Sequence, residues 1–482
     1  MDKGKGYDLM DTMEVPFHYF ELETHWVNEE EKRFDARFYD KDVIAARLLI
    51  ERLTRKKAGI ETVKELSKDV FWPGRFKRRY VSRDKGKPFI MPSEAMMFLP
   101  KSKKFITNYP ENVEIDRDWL LITRSGSVGR ILISNDLLKK FVLSDDLIRI
   151  IPHDKGYFGY LYAYLNTWMG QAFLVKDQYG ATVKHIEPHH VAGIPVPVIS
   201  SLMERVEEKI LNAHKLREDA QSLLIKAEEM LYSKLALPKI DEEEAKYFGN
   251  ELGRVIKSFE ISSSDLELRL DASYHAPIAQ ISINNLKKAK TGKIVRLVDV
   301  AETFVPPRFK RAYVKNPSDG VPLLQGSHVN QIKPQDLKFL WRKMKELDKY
   351  VVKKNWIIVT CSGTIGRLSL VMDFWDGWTA TNHLLRIIPD ENEIHPGYLT
   401  AYLLASYGQI LFQKLIYGGV VDEIGEAGEL FNEIPVLKPK DEKIEKHIGN
   451  LVFEAYSKRD EANKIEDDCT SIIEQELEKL AA

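Results

Sequence analysis

Two stretches of the chain concentrate side chains able to grip a polyanion. Arg75 to Lys104 holds ten Lys or Arg against two acids, Asp84 and Glu94, and Arg308 to Lys345 holds nine against two, Asp319 and Asp336. In both, the aromatic residues Phe76, Tyr80, Phe309 and Tyr313 alternate with the charges. Such alternation suits a strand that packs one side on a core and offers Arg and Lys to phosphates; the alternative is a solvated basic strand. Its occurrence twice favours the first. The candidate contacts are Arg75, Lys77, Arg78, Arg79 and Arg83, then Arg308, Lys310 and Arg311, with Arg78 and Arg311 as the preferred pair for a phosphate or a base.

A second kind of site follows each basic stretch. Ser125-Gly126-Ser127-Val128-Gly129-Arg130 and Ser362-Gly363-Thr364-Ile365-Gly366-Arg367 could bring backbone N–H groups and hydroxyls close to an anion, because glycine removes the steric barrier. They could equally be structural turns. Neither satisfies the GxxxxGK[ST] phosphate loop. Ser125, Ser127, Arg130, Ser362, Thr364, Arg367 and Lys184 join the candidates, with Gln325, Ser327 and His328 as candidate base readers in a polar loop after the second basic strand.

Catalytic readings are weaker. Cys361 stands beside a glycine-rich turn, but its counterpart in the other half is Arg124, which does not suit a nucleophile. His185, His189 and His190 cluster, yet Glu423 stands opposite His185 and no ligand set has zinc spacing. Asn316-Pro317-Ser318-Asp319 lacks the second proline and the aromatic residue of an amino-methyltransferase segment, and no ATPase motif is present. No catalytic residue, metal or cofactor is expected in the chain itself.

The positioning elements are written twice. Phe34-Asp35-Ala36-Arg37-Phe38 corresponds to Leu270-Asp271-Ala272-Ser273-Tyr274. Arg75 to Val81 matches Arg308 to Val314 with six of seven residues identical, at a shift of 308 − 75 = 233. Trp119 to Arg130 matches Trp356 to Arg367 at 356 − 119 = 237, and Leu147 to Pro152 matches Leu384 to Pro389 in the same register. Ile194-Pro195-Val196 and Ile434-Pro435-Val436 close the two units. Short β-branched runs predict buried strands from Trp119 and from Trp356, and Gly159 to Leu174 and Gly397 to Leu415 predict helices. Each unit is therefore expected to be α/β.

A long charged helix follows each unit. Val206, Ile210, Ala213, Ala220, Leu224, Ala227 and Leu231 fall on a three-and-four seam interrupted at Arg217; Ile448, Leu451, Ala455, Ala462, Ile465, Cys469 and Ile472 form another, interrupted at Lys458. Two such seams suit an antiparallel pair, with Val206, Ile210, Leu224, Leu231, Ile448, Leu451, Ile465 and Ile472 as its contact residues. The expected organisation is an N-terminal segment (1–30), a first recognition unit (31–198), a spacer helix (199–236), a polar linker (237–268), a second unit (269–438) and a second spacer helix (439–482).

Lys plus Arg number 71 against 72 Asp plus Glu, so any basic surface is local. Two cysteines cannot build a disulfide framework, and no apolar stretch approaches a membrane span. A cytoplasmic protein is expected.

Taken together, the doubled order of these motifs resembles the specificity subunits of type I restriction-modification systems. The resemblance rests on Arg269 to Tyr274, the two Thr-x-Ser-Gly-x-x-Gly-Arg turns, Tyr179 to Ile186, the Ile-Pro-Val exits and the terminal helices. It implies two α/β target-recognition domains separated by antiparallel helices, a bipartite double-stranded DNA target, and docking of two adenine methyltransferase subunits. S-adenosylmethionine would belong to that partner, and ATP-driven cleavage to further restriction subunits. Lys184-His185 against Asp422-Glu423 departs from a shared contact, and the long segment before Phe34 and the long linker admit a variant phage-defence system built around the same methyltransferase. The competing readings are a scaffold that assembles proteins through its paired helices and a stand-alone nuclease, for which no acidic cluster with a nearby lysine stands out.

Overall fold

The structure, a computed structural model, describes residues 36–153, 157–180, 182–240, 259–266, 269–417, 421–424 and 428–482. The expected N-terminal segment 1–30 and most of the linker 237–268 lie outside the described residues.

The first unit runs α1 (Lys41–Arg55), β1 (Gly59–Thr62), β2 (Ser67–Phe71), β3 (Arg79–Val81), β4 (Lys87–Ile90), α2 (Pro92–Ala95), β5 (Lys104–Thr107), β6 (Leu120–Thr123), β7 (Ile131–Ile133), β8 (Val142–Leu143), β9 (Leu147–Pro152), α3 (Phe158–Asn166), α4 (Trp168–Lys176), α5 (Pro188–Ala192) and β10 (Pro195–Val198). The spacer helix α6 (Ser200–Lys234) follows. The second unit runs α7 (Pro277–Lys288), β11 (Gly292–Arg296), β12 (Ala301–Phe304), β13 (Tyr313–Val314), β14 (Gly320–Leu324), β15 (Lys338–Trp341), β16 (Ile357–Thr360), β17 (Leu368–Leu370), β18 (Thr379–Ala380), β19 (Leu384–Pro389), α8 (Pro396–Leu404), α9 (Ser406–Lys414), α10 (Gly428–Asn432) and β20 (Pro435–Pro439), before α11 (Glu442–Ala481).

The repeat in sequence is a repeat in topology. Sheets ordered β2-β9-β6-β7 and β3-β5-β4-β8 in the first unit have counterparts β12-β19-β16-β17 and β13-β15-β14-β18 in the second, and the ribbon β1-β10 has its counterpart in β11-β20. Pairing is antiparallel except at β4–β8 and β14–β18. Each four-stranded core sheet carries a buried arginine. Arg149 donates to the carbonyls of Leu147 (2.5 Å), Val113 (3.2 Å) and Ser144 (3.4 Å), and Arg386 to those of Ala380 (2.7 Å), Thr381 (2.8 Å), Leu384 and Tyr350 (3.4 Å). Burial pushes both guanidiniums down to about 10, so they remain charged at neutral pH, held by carbonyl dipoles.

Where one helix per unit was expected over 159–174 and 397–415, two are found. The chain turns at Thr167, whose hydroxyl accepts from the N–H of Gly170 (3.1 Å). A Cβ at Gly170 would stand 2.3 Å from the carbonyl oxygen of Tyr164, and one at Gly408 2.5 Å from Leu403 Cα, so only glycine lets the second helix fold back this tightly.

Helices α6 and α11, 35 and 40 residues long, pack on each other along their length. Buried positions in α6 alternate by four and three: Val206, Ile210, Ala213, Arg217, Ala220, Leu224, Ala227 and Leu231. Those in α11 are Ile448, Val452, Ala455, Arg459, Ala462, Glu466, Cys469 and Ile473, each matching an α6 residue at 448 − 206 = 242. The seam thus passes through Val452, Glu466 and Ile473, while Leu451, Ile465 and Ile472 flank it. An apolar-only pattern skips Arg217, Arg459 and Glu466, and so shifts register. Arg217 donates to Glu466 (2.7 Å to Oε2) and to Asn463 (2.8 Å). Arg459 is in the equivalent place, but the position equivalent to Glu466 is Leu224 (466 − 242 = 224), and Arg459 instead bonds Asp460 (2.7 Å) and Ser369 (3.1 Å) and stacks on Trp375 (4.4 Å).

Both heads take their cores from both helices. The first packs on Leu202 to Ile210 and on Cys469 to Ala481, the second on Ala220 to Leu235 and on Ile448 to Tyr456, which places them at opposite ends of an antiparallel bar. The heads, separated by the helices as expected, also meet at the middle of the bar. Met97 pairs with Gln331 in an antiparallel bridge, Phe98 N–H donates to Asn330 O (2.7 Å) and Ile332 N–H to Met96 O (3.0 Å). Gln221 donates to Phe98 O (2.9 Å) and Asn463 to Ile332 O (3.1 Å). Since 331 − 97 = 234 and 463 − 221 = 242, these are equivalent contacts across one pseudo-two-fold axis.

Two measurements check this account. Glu466→Leu, which installs the residue type of position 224, strands the buried Arg217 cation; unfolding experiments should register a loss of roughly 3–5 kcal/mol, largely recovered by adding Arg217→Met. Separately, the Glu207 carboxylate accepts from Tyr160 N–H (2.8 Å) at the start of α3, and burial pushes it up to about 7. A raised carboxyl favours the protonated fold, a contribution present below the unfolded value near 4.5 and lost as pH rises through about 7. Glu207→Gln should therefore melt higher than the parent at pH 8, with the gap closing towards pH 5.

Candidate nucleic-acid interface

The basic loop of the first unit, residues 72–78, spans from β2 to β3 and is pinned at both ends. Trp72 Nε1 donates to Asp145 O, and the Arg124 guanidinium lies 4.0 Å from the centre of the Trp72 ring. At the other end Arg78 bonds the buried Asp145 carboxylate (2.5 Å) and lies over Phe89 (5.2 Å). Burial alone would lower Arg78, but the bond to Asp145 and its charge hold the guanidinium above its ordinary value. Gly74 takes φ +79° in the turn. With its ends fixed, the loop presents Arg75, Lys77 and Arg79 to solvent, and Arg83 is exposed just beyond β3.

The second unit repeats this with one change. Arg311 reaches Asn382 (3.4 Å), which stands where the first unit has Asp145 (382 − 145 = 237), and Phe309 stacks on Tyr350 with ring centres 3.8 Å apart. Arg308 and Lys310 are exposed. Arg78 and Arg311 thus anchor the loops that carry the exposed cations.

Tyr80 and Tyr313 point outwards, at 52% and 46% exposure, rather than into a core. Each shares the face of its small sheet with a lysine: Lys104 Nζ is 5.9 Å from the Tyr80 ring centre and Lys338 Nζ 5.4 Å from that of Tyr313. Alternation misplaced them because residues 72–78 are not a strand, so parity with Phe76 does not carry through. Lys104 and Lys338 were missed for a related reason, since only strand pairing brings them beside the tyrosines.

The glycine-rich segments are turns. Gly126 and Gly129 have φ +75° and +86°, Gly363 and Gly366 +78° and +84°. Their N–H groups are used internally: Gly126 to Lys184 O (3.0 Å), Gly129 to Thr123 O (3.0 Å), Gly363 to Asp422 O (2.8 Å) and Gly366 to Thr360 O (3.2 Å). Ser127 and Thr364 project from the turns, whereas Ser125 and Ser362 are half-buried. Arg130 is turned towards the other head, where it pairs with Asp336, and Arg367 is half-buried with Glu94 of the first unit as its nearby charge. Lys184 donates to Gly180 O (2.7 Å).

Among the proposed base readers only Ser327 is exposed. His328 is buried; its Nδ1 accepts from Gln325 N–H (3.2 Å), and burial lowers its pKa so that the ring stays neutral. Cys361 is likewise buried, and desolvation pushes its thiol up to about 11, which removes the thiolate a nucleophile needs.

One constellation looks hydrolytic by composition. Ser125 Oγ lies 2.8 Å from His185 Nδ1 and 2.9 Å from Asp146 Oδ1. A serine-activating triad needs the imidazole between the hydroxyl and the acid; here the hydroxyl sits between them. Among the described residues no group of His, Cys, Asp or Glu is placed to hold a metal ion. No helix among them is long and apolar enough to cross a membrane.

Residues 290–423 match the family model of the type I restriction modification DNA specificity domain. They span the second unit's basic loop, small sheet and turn. No curated protein sequence matches the chain. Three solved structures resemble it at low identity. The S subunit of a type I restriction-modification system from M. genitalium is 14% identical over 88% of this chain and 95% of that one, with a TM-score of 0.34. The HsdS subunit from Thermoanaerobacter tengcongensis is 10% identical over 88% and 96%, with a TM-score of 0.26. A chain from a structure addressing complex assembly and conformational transition of the type I R-M system is 11% identical over 88% and 97%, with a TM-score of 0.27.

The second unit thus carries a type I restriction modification DNA specificity domain over residues 290–423. The first unit, outside the matched residues, repeats the strand order of the matched one.

The loop geometry separates two roles that can be measured. Lys77→Ala should weaken DNA binding and shallow its salt slope by about one without changing the melting temperature. Arg78→Ala should weaken binding and also lower stability, because it strands the buried Asp145 carboxylate.

Proposed function

We propose that each head reads one half of a bipartite DNA target and that the chain directs an adenine methyltransferase to it. The observation that carries this reading is the pair of equivalent basic loops, each pinned by an arginine and flanked by an exposed Tyr–Lys pair, on heads at opposite ends of one bar.

The exposed cations Arg75, Lys77, Arg79, Arg83, Arg308 and Lys310 hold phosphates, with Lys104 and Lys338 beside them. Ser127, Thr364 and Ser327 reach from neighbouring loops. Two methyltransferase subunits dock on the paired helices, one for each half of the pseudo-symmetric bar, and supply the S-adenosylmethionine chemistry. ATP-dependent restriction subunits join where the system carries them. The chain itself is non-catalytic and works in the cytoplasm, where its substrate and a thiol-preserving environment are found; both cysteines are free and buried.

Long-read methylation mapping in a host expressing the complex is expected to reveal a split motif with fixed spacing. A continuous motif, or no methylation, would count against this reading. A scaffold that does not read DNA would show no preference among duplexes in a gel-shift assay.

A further inference from the structure

The duplication has kept one surface in the same shape while reversing its chemistry. In the first head Arg124 N–H donates to Asp146 O (2.9 Å), Ile186 N–H to Arg124 O (3.1 Å), and Ser125 bridges His185. In the second head Cys361 N–H donates to His383 O (3.0 Å), Ile424 N–H to Cys361 O (3.0 Å), and Ser362 bridges Glu423. Tyr179 pairs with His185 as Tyr417 does with Glu423. Positions 146 and 383, 125 and 362, and 185 and 423 are therefore equivalent by backbone bonding as well as by repeat spacing. Around the shared serine, the first head has Asp146 on one side and His185 on the other; the second has His383 and Glu423. The acid and the imidazole have exchanged places.

The loops that carry the exchange are open to solvent in both heads, and in the first they neighbour the basic loop. Val183 and Val421, equivalent at 421 − 183 = 238, are each 47% exposed on the loops that carry His185 and Glu423. Tyr179 is 45% exposed, and Arg75 of the basic loop is near enough to act on it electrostatically. His383 is exposed, and Asp146, His185, Ser362 and Glu423 are half-buried.

Residues identical in both copies cannot tell one half-site from another. Arg75 and Arg308, Lys77 and Lys310, and Tyr80 and Tyr313 are shared, which suits contacts to the common sugar-phosphate backbone. Discrimination must come from places where the heads differ on the same surface. A carboxylate only accepts hydrogen bonds, an imidazole can donate, and a base pair displays an ordered row of donors and acceptors in the major groove. Exchanging the two groups about a fixed hydroxyl reverses the order that a head presents.

We infer that Asp146, Ser125 and His185 in the first head, and His383, Ser362 and Glu423 in the second, are the base-reading triplets, each contacting base edges in the major groove. This rests on the proposed reading of DNA by each head. It assigns specificity to a rim that is otherwise a turn and a loop closure, and it makes Ser125 and Ser362 pivots rather than nucleophiles.

The test uses the full chain, with any methyltransferase that co-purifies, and a pool of randomised double-stranded DNA from which bound duplexes are sequenced. Asp146→His with His185→Glu should alter the first half of the recovered motif at one or two neighbouring bases and leave the second half and the spacing unchanged. His383→Asp with Glu423→His should do the reverse. The milder Asp146→Asn and Glu423→Gln, which preserve shape, should relax preference at the same positions by roughly ten-fold or more. A motif identical to the parent's in all four variants would overturn the assignment, as would an equal loss of binding to every sequence with melting temperature unchanged. Failure of the parent chain to recover any split motif would strike instead at the reading of DNA itself.

Discussion

The antiparallel seam between α6 and α11 is the constraint on which the rest of the molecule depends. Neither head completes its core alone: each closes over the first part of one spacer helix and the last part of the other. The helices must therefore run antiparallel and in one register before either head can bury its apolar surface. The register carries an internal marker in Arg217, whose guanidinium finds Glu466 and Asn463 in only one alignment. A slip along the seam would leave both charges buried without partners, a larger penalty than any apolar mismatch.

A seam closed this way turns two similar heads into one rigid object. The bridge at Met97 and Gln331, and the amides of Gln221 and Asn463 that hold the crossing segments, tie both heads to the middle of the bar as well as to its ends. The halves have nonetheless diverged where the frame allows. The space between head, bar and crossing segment is about 160 Å³ beside Leu99 and Leu224 in the second head, and about 270 Å³ beside Lys333 and Glu466 in the first. These are equivalent positions, since 333 − 99 = 234 and 466 − 224 = 242. Apolar and ionic versions of one contact thus coexist in a single chain, each internally matched.

The same logic separates the arginines. Arg149 and Arg386 are sealed among carbonyls, Arg78 is held by Asp145, and Arg130 faces the other head, while Arg75, Lys77, Arg308 and Lys310 are offered to solvent. Charge density along the chain marks the loops; the partners of each cation decide which of them can meet a phosphate.

Repeat spacing and hydrophobic periodicity were enough to establish two α/β units, two long helices and paired basic stretches, though not that these are loops, because each depends on residues near one another in sequence or on a pattern written twice. Three things were decided only in the folded chain. The register of α11 needed the facing helix, since Glu466 is a seam residue only when Arg217 lies opposite it. The outward turn of Tyr80 and Tyr313 needed the strand pairing that sets Lys104 and Lys338 beside them. The turning of Arg130 to Asp336 needed the second head. In each case the deciding partner is more than twenty residues away, and local pattern holds no information about a charge or hydrogen bond that distant.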